Sequence, residues 1–87
     1  MSKTNRTPSR CVFIGNIAYD ASTDKLKQIF NEAGQVVNFR MVFDRETNKP
    51  KGYAFCEFID EGSASNAMKT LDGRDFNGRK LRVDFAD

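Results

Sequence analysis

The sequence predicts one α+β domain of the ferredoxin-like type, a βαββαβ sandwich in which two helices cover one face of a four-stranded antiparallel sheet. Three observations carry that prediction. Strand-like and helix-like apolar spacings follow one another in that order along the chain, cap and turn residues separate them, and 87 residues suffice for one domain and no more. Apolar residues make up 39% and charged residues 30% of the chain, the balance of a folded domain rather than a disordered one.

Residues 1–10 carry Lys3, Arg6, Pro8 and Arg10 with no large apolar residue after Met1, so they are expected to form a flexible basic arm ahead of a domain over 11–87. From 11 to 17 the chain is β-branched and aromatic and reaches Gly15 and Asn16, which marks a buried first strand. Ser22 is placed to cap a first helix, with Asp24 in the first turn where a carboxylate favours the helix dipole. Leu26, Ile29, Phe30 and Ala33 fall on one face of that helix, and Gly34 is expected to end it as a C′ residue. A second strand follows over Val36–Phe43, with Val37, Phe39, Met41 and Phe43 on one face and Val36, Asn38, Arg40 and Val42 on the other.

The polar stretch 44–51 reads as a basic-tipped loop in which Pro50 bars a continuous central strand. Residues 52–59 form a third strand. Asp60 is placed to cap a second helix over Glu61–Leu71, whose Ala64, Ala67, Met68 and Leu71 share a face. Asp72-Gly73 and Asn77-Gly78 mark turns around Phe76, and residues 81–85 alternate apolar and charged as the last strand.

Composition narrows the chemistry. The 14 Lys and Arg exceed the 12 Asp and Glu by a net charge of only +2, so any polyanion must be met by a local feature rather than a uniformly basic surface. With no His and two Cys, neither a zinc finger nor a His-based catalytic centre can be built, and no metal or cofactor is expected. Cys11 and Cys56 fall on opposite faces of their strands and are expected to be free thiols. No apolar run approaches the ~18 residues of a membrane span and no signal-peptide core opens the chain, so no membrane partner is expected. The Asn5-Arg6-Thr7 sequon is read as coincidence.

The compositional oddity is eight Phe and two Tyr without a Trp. The helices need Ala54, Cys56 and Phe58 of the third strand beneath them, which turns Tyr53, Phe55 and Glu57 to the open face. In the first strand the same parity buries Val12 and Ile14 and turns Phe13 outward. Phe30, Phe39, Phe58 and Phe76 are assigned to the core or its rim. Leaving three rings on an open sheet forgoes about 1.5–3 kcal/mol each unless something covers them. Unpaired nucleobases suit that role, because each offers a flat π-face, while Lys51 and Arg40 beside the rings can meet phosphates. Gly15 and Gly52 are expected to leave room for backbone and base to approach closely.

Residues 51–58, Lys-Gly-Tyr-Ala-Phe-Cys-Glu-Phe, match the first ribonucleoprotein signature at every defined place except Cys56, where valine is usual. Residues 12–17, Val-Phe-Ile-Gly-Asn-Ile, resemble the partner signature on the first strand. The chain from Cys11 to Ala86 therefore resembles the RNA recognition motif family. That resemblance implies an RNA-binding sheet with Phe13, Tyr53 and Phe55 as stacking residues and Lys51 as a phosphate contact. The stretches Phe-Ile-Gly-Asn-Ile-Ala-Tyr-Asp and Phe-Asp-Arg-Glu-Thr-Asn-Lys-Pro-Lys-Gly-Tyr-Ala-Phe-Cys-Glu-Phe, with Leu-Arg-Val-Asp, also resemble a narrower subfamily, the RNA-binding subunit of cleavage stimulation factor. This second likeness implies U- or GU-rich single-stranded RNA, a role in mRNA 3′-end cleavage and polyadenylation, nuclear residence, and processing partners engaged mainly beyond these residues.

Further RNA phosphate or base contacts are assigned to Arg40, Arg82, Asp84, Asn16 and Tyr19. Each has a plainer reading: an arginine pairing with Glu57 or Asp84, an Asn16 pinning the turn after the first strand, a Tyr19 packed on the sheet edge. An outward carboxylate repels phosphate but accepts hydrogen bonds from base N–H groups, so Glu57 and Asp84 serve either base choice or solubility. The alternative function is a protein-interaction module of the same fold inside an RNA-processing complex, although modules of that kind usually lose the sheet aromatics. An acylphosphate-hydrolysing enzyme of this layout would need a phosphate-cradling loop after the first strand, where this chain has Asn-Ile-Ala-Tyr-Asp-Ala, and no catalysis is expected.

Overall fold

Alternation of apolar and outward residues draws the strands into one sheet, and the two apolar helix faces close over one side of it. The computed structural model describes residues 9–86 and runs β1 (Cys11–Gly15), α1 (Thr23–Ala33), β2 (Val36–Phe43), β3 (Pro50–Phe58), α2 (Glu61–Leu71), β4 (Asp75–Phe76), β5 (Arg79–Lys80) and β6 (Arg82–Ala86). The main sheet has the order β2-β3-β1-β6 with antiparallel pairing throughout, and β4 and β5 form a separate two-stranded hairpin. This is the expected βαββαβ sandwich with a small hairpin inserted before the last strand.

The core lies between the sheet and the helices. Val12, Ile14, Leu26, Phe30, Ala54, Cys56, Phe58, Ala64 and Ala67 are wholly buried there, and the Phe30 ring meets Phe39 at a centroid distance of 6.4 Å. Ser22 Oγ accepts from the Lys25 N–H and Asp60 Oδ1 from the Ser63 N–H, so both helices start on the capping residues the sequence offers. Pro50 opens β3 opposite Phe43, a strand-end position where its missing N–H costs no interior ladder bond.

Three local expectations are corrected. Gly34 is not a left-handed C′ residue: its φ is 179°, an extended backbone, and glycine is needed because a Cβ there would overlap the Ser63 side chain of α2. The strict alternation of β2 breaks at bulges between Val36 and Asn38 and between Met41 and Phe43. Val36 therefore packs on the core while Val37 is 55% exposed and Phe43 48% exposed. Around Phe76 the structure has strands as well as turns, because Asn77 (φ 53°) and Gly78 (φ 83°) both take the positive φ of a tight hairpin turn and fold β4 on β5.

Most of the arm expected over residues 1–10, with Lys3, Arg6 and the Asn5 sequon, lies outside the described residues. At Arg10 it is already tied to the sheet, since the Phe58 N–H donates to the Arg10 carbonyl at 2.8 Å and the Cys11 N–H donates to Ser9 Oγ at 3.1 Å. Among the described residues no helix is long and apolar enough to cross a membrane.

Candidate nucleic-acid interface

Strand register sets the face of the sheet that neither helix covers as rows running across β2, β3, β1 and β6. One row holds Arg40, Phe55, Phe13 and Asp84, and the next toward the end of β3 holds Asn38, Glu57, Cys11 and Ala86. On the other side Gly15 pairs with Arg82, with Tyr53 alongside on β3. All three rings therefore stand on the face that strand parity assigns them: Phe13, Tyr53 and Phe55 are partly exposed while Val12, Ile14, Ala54 and Cys56 are buried.

The rings form one cluster. Phe13 stands 5.7 Å from both Tyr53 and Phe55 by centroid, at interplanar angles of 34° and 63°, and Tyr53 lies 6.3 Å from Phe55 at 87°. Such tilted and edge-on contacts hold the rings against one another while leaving faces free for a flat partner. The Phe13 ring reclines over Gly15, where a Cβ would come within 2.9 Å of Phe13 Cε2. The space expected for a ligand at Gly15 is therefore taken by the protein's own ring. Gly52 is glycine for its backbone, with φ at +91° and its carbonyl accepting from the Ile17 N–H at 2.9 Å.

Hollows border the rings. One of about 350 Å³ is lined by Phe13, Tyr53, Asn16, Lys51 and Arg79. Lys51 is exposed at its rim, and Arg79 is a cation that sequence reasoning passed over. Its Nε donates to Asn16 Oδ1 at 3.2 Å, and Asn16 Nδ2 donates to the Lys80 carbonyl at 2.8 Å. Asn16, at φ 60°, thus joins the turn after β1 to the inserted hairpin. The Asn77-Gly78 dipeptide signalled a turn, but not the long-range Asn16 bonds that hold Arg79 beside the rings.

A second hollow, of about 220 Å³, is lined by Phe13, Asp72, Arg82 and Asp84. Here Asp72 Oδ1 accepts from the Val83 N–H at 2.9 Å and Asp84 Oδ1 from the Phe85 N–H at 2.8 Å, so two carboxylates occupy amides of the β6 edge. Phe85 packs toward the core and leaves the outer face to Arg82 and Asp84. Tyr19 is 71% exposed in the loop after β1 and lines none of these hollows. A third hollow, of about 390 Å³, lies beyond Phe55 among Cys11, Asn38, Arg40, Glu57 and Ala86.

Electrostatics at that end centre on Glu57, whose Oε2 lies 3.7 Å from Arg10 Nη2, so among the described residues it pairs with Arg10 rather than Arg40. Burial, aided by the Glu57 carboxylate, raises the Cys11 thiol above its ordinary range. Cys56, beneath the helices, is pushed up to about 12, mainly by burial. Both cysteines are free thiols, as their opposite faces require.

Residues 12–82 match the family described as the RNA recognition motif. Cleavage stimulation factor subunit 2 from Homo sapiens is 60% identical over 77 residues, a match covering 88% of this chain and 13% of that protein. The chain thus spans well under a quarter of the length of that relative. The structure of the RNA15 RRM superposes with a TM-score of 0.87 at 36% identity, covering 92% of each chain. The Rna15 RRM with bound RNA (GU) superposes with a TM-score of 0.82 at 37% identity, covering 91% of this chain and 84% of that one.

Proposed function

The chain belongs to the RNA recognition motif family, a family of RNA-binding domains and not of enzymes, and from that premise we propose that the sheet face opposite its helices binds U- or GU-rich single-stranded RNA. In this reading the domain is a targeting module in pre-mRNA 3′-end cleavage and polyadenylation, resident in the nucleus. Other processing proteins would be engaged mainly through regions beyond these 87 residues. Likeness to a cleavage stimulation factor subunit supports the pathway, and likeness to an RRM solved with GU RNA supports the ligand.

The observation that carries the reading is the cluster of Phe13, Tyr53 and Phe55 on the sheet face that neither helix covers, each ring partly exposed among the described residues. Successive bases stack on the rings for about 1–3 kcal/mol each. Lys51, Arg40 and Arg82 stand at the edges of the cluster, where a backbone threaded across the strands would place phosphates, with Asp84, Asn16 and Tyr19 as further contacts. After the cost of ordering the strand, the three stacks amount to roughly micromolar affinity for one domain.

The test is an anisotropy titration of labelled GU-rich RNA against the wild type and the Tyr53→Ala, Phe55→Ala double variant. Binding should fall by two orders of magnitude or more, on the order of two lost stacks. The amide spectrum should stay folded, because both rings lie outside the core. Unchanged affinity of the folded double variant would refute the reading.

A further inference from the structure

We propose that the hollow beyond Phe55 is a guanine-reading subsite, in which Glu57 accepts the two adjacent N–H groups of a guanine laid against the Phe55 ring. The proposal rests on the reading that this face binds single-stranded RNA, and adds which base one end of it selects. At about 390 Å³ the hollow is larger than those beside Tyr53 and Arg82. Register explains why: the row Asn38, Glu57, Cys11, Ala86 puts two small side chains on the floor, next to an aromatic wall and between polar side chains.

An outward carboxylate on a phosphate-binding face weakens binding by repulsion unless it meets donors. Glu57 is held beside Arg10 at 3.7 Å, which offsets its charge, and its side chain keeps 36% of its surface exposed. Among the four bases only guanine presents two neighbouring donors, N1–H and the N2 amino group, on its Watson–Crick edge, a fork that matches the two oxygens of a carboxylate. Uracil offers one N3–H between two carbonyls, which the carboxylate repels. Adenine and cytosine each set an amino group next to an acceptor nitrogen. Asn38, on the β2 side of the same hollow, supplies an amide donor for the guanine O6, which leaves Arg40 to the phosphates.

The probe is a short oligouridine carrying one guanine, compared with the same oligomer carrying inosine, which keeps N1–H and lacks the N2 amino group. Wild-type protein should bind the guanine oligomer about tenfold more tightly than the inosine one, the effect of one hydrogen bond to a charged acceptor. In Glu57→Gln the two affinities should come within about twofold of each other. Equal wild-type affinity for the two oligomers overturns the proposal whether or not the variant folds, and so does a preference that persists undiminished in Glu57→Gln. Oligouridine binding without a guanine–inosine difference would remove this subsite and leave the ring platform standing. Failure of every oligomer to bind would remove both.

Discussion

The Phe13 ring owes its position to a missing methyl group. With a Cβ at Gly15 the ring edge would be struck at 2.9 Å, so Gly15→Ala should tilt Phe13 off the cluster it shares with Tyr53 and Phe55. About fivefold weaker RNA binding is expected, since part of one stack is lost, with shifted Phe13 ring protons in the NMR spectrum as the companion reading. Cys56 makes a separate prediction about stability. Its thiol sits at about 12 in the folded chain against an ordinary value of 9.0, because burial disfavours the thiolate. The folded state therefore holds this proton more tightly than the unfolded state. That contribution is intact below pH 9.0 and is lost as pH rises toward about 12. Urea unfolding between pH 8 and pH 10.5 should show a fall above pH 9, of which Cys56 supplies up to ~1.4 kcal/mol per pH unit, and Cys56→Val should keep only the smaller part that the raised Cys11 thiol contributes.

The two helices meet where Gly34 passes Ser63, and the contact is steric, since φ at Gly34 is an ordinary extended 179°. Gly34→Ala should cost about 1–3 kcal/mol in urea unfolding, as overpacked sites do, and pairing it with Ser63→Gly should restore most of the loss. The loop between β2 and β3 is likewise built rather than slack. Asp44 Oδ1 accepts from the Glu46 N–H at 2.8 Å and the Thr47 N–H at 3.1 Å, and its backbone bonds Lys49 and Asn48. The Thr47 and Glu46 amides hold the Asp44 carboxyl below its ordinary 3.8. A depressed carboxylate stabilises the loop above that value and releases it as pH falls through the lowered one. Amide exchange at Glu46 and Thr47 should accelerate in Asp44→Ala at neutral pH, and unchanged protection would refute the capping role.

Across the molecule, charge and rings divide the work of binding unequally. A net charge of +2, with cations gathered at Lys51, Arg40, Arg79 and Arg82, leaves few phosphates to neutralise. Two or three of them predict a log–log salt slope of roughly −1.4 to −2.1 for single-stranded RNA, measured by titration from 50 to 300 mM salt. A slope several times steeper would shift the burden from stacking to electrostatics and contradict the ring platform as the main source of affinity.

Much of this was legible along the chain. Period-two alternation assigns Phe13, Tyr53 and Phe55 to one face and Val12, Ala54, Cys56 and Phe58 to the other, because a strand's side chains can only alternate. Helix caps at Ser22 and Asp60 read as directly, being local hydrogen bonds between near neighbours. What local rules miss is set by contacts between distant residues. The bulges that expose Val37 and Phe43 arise where β2 must match β3, and Gly34 is dictated by a side chain 29 positions away. Arg79 reaches the sheet through Asn16, 63 positions back, and the hollow at Glu57 exists only once β1, β2, β3 and β6 lie side by side. Alternation states which way a side chain faces, and only the packed sheet states what faces it.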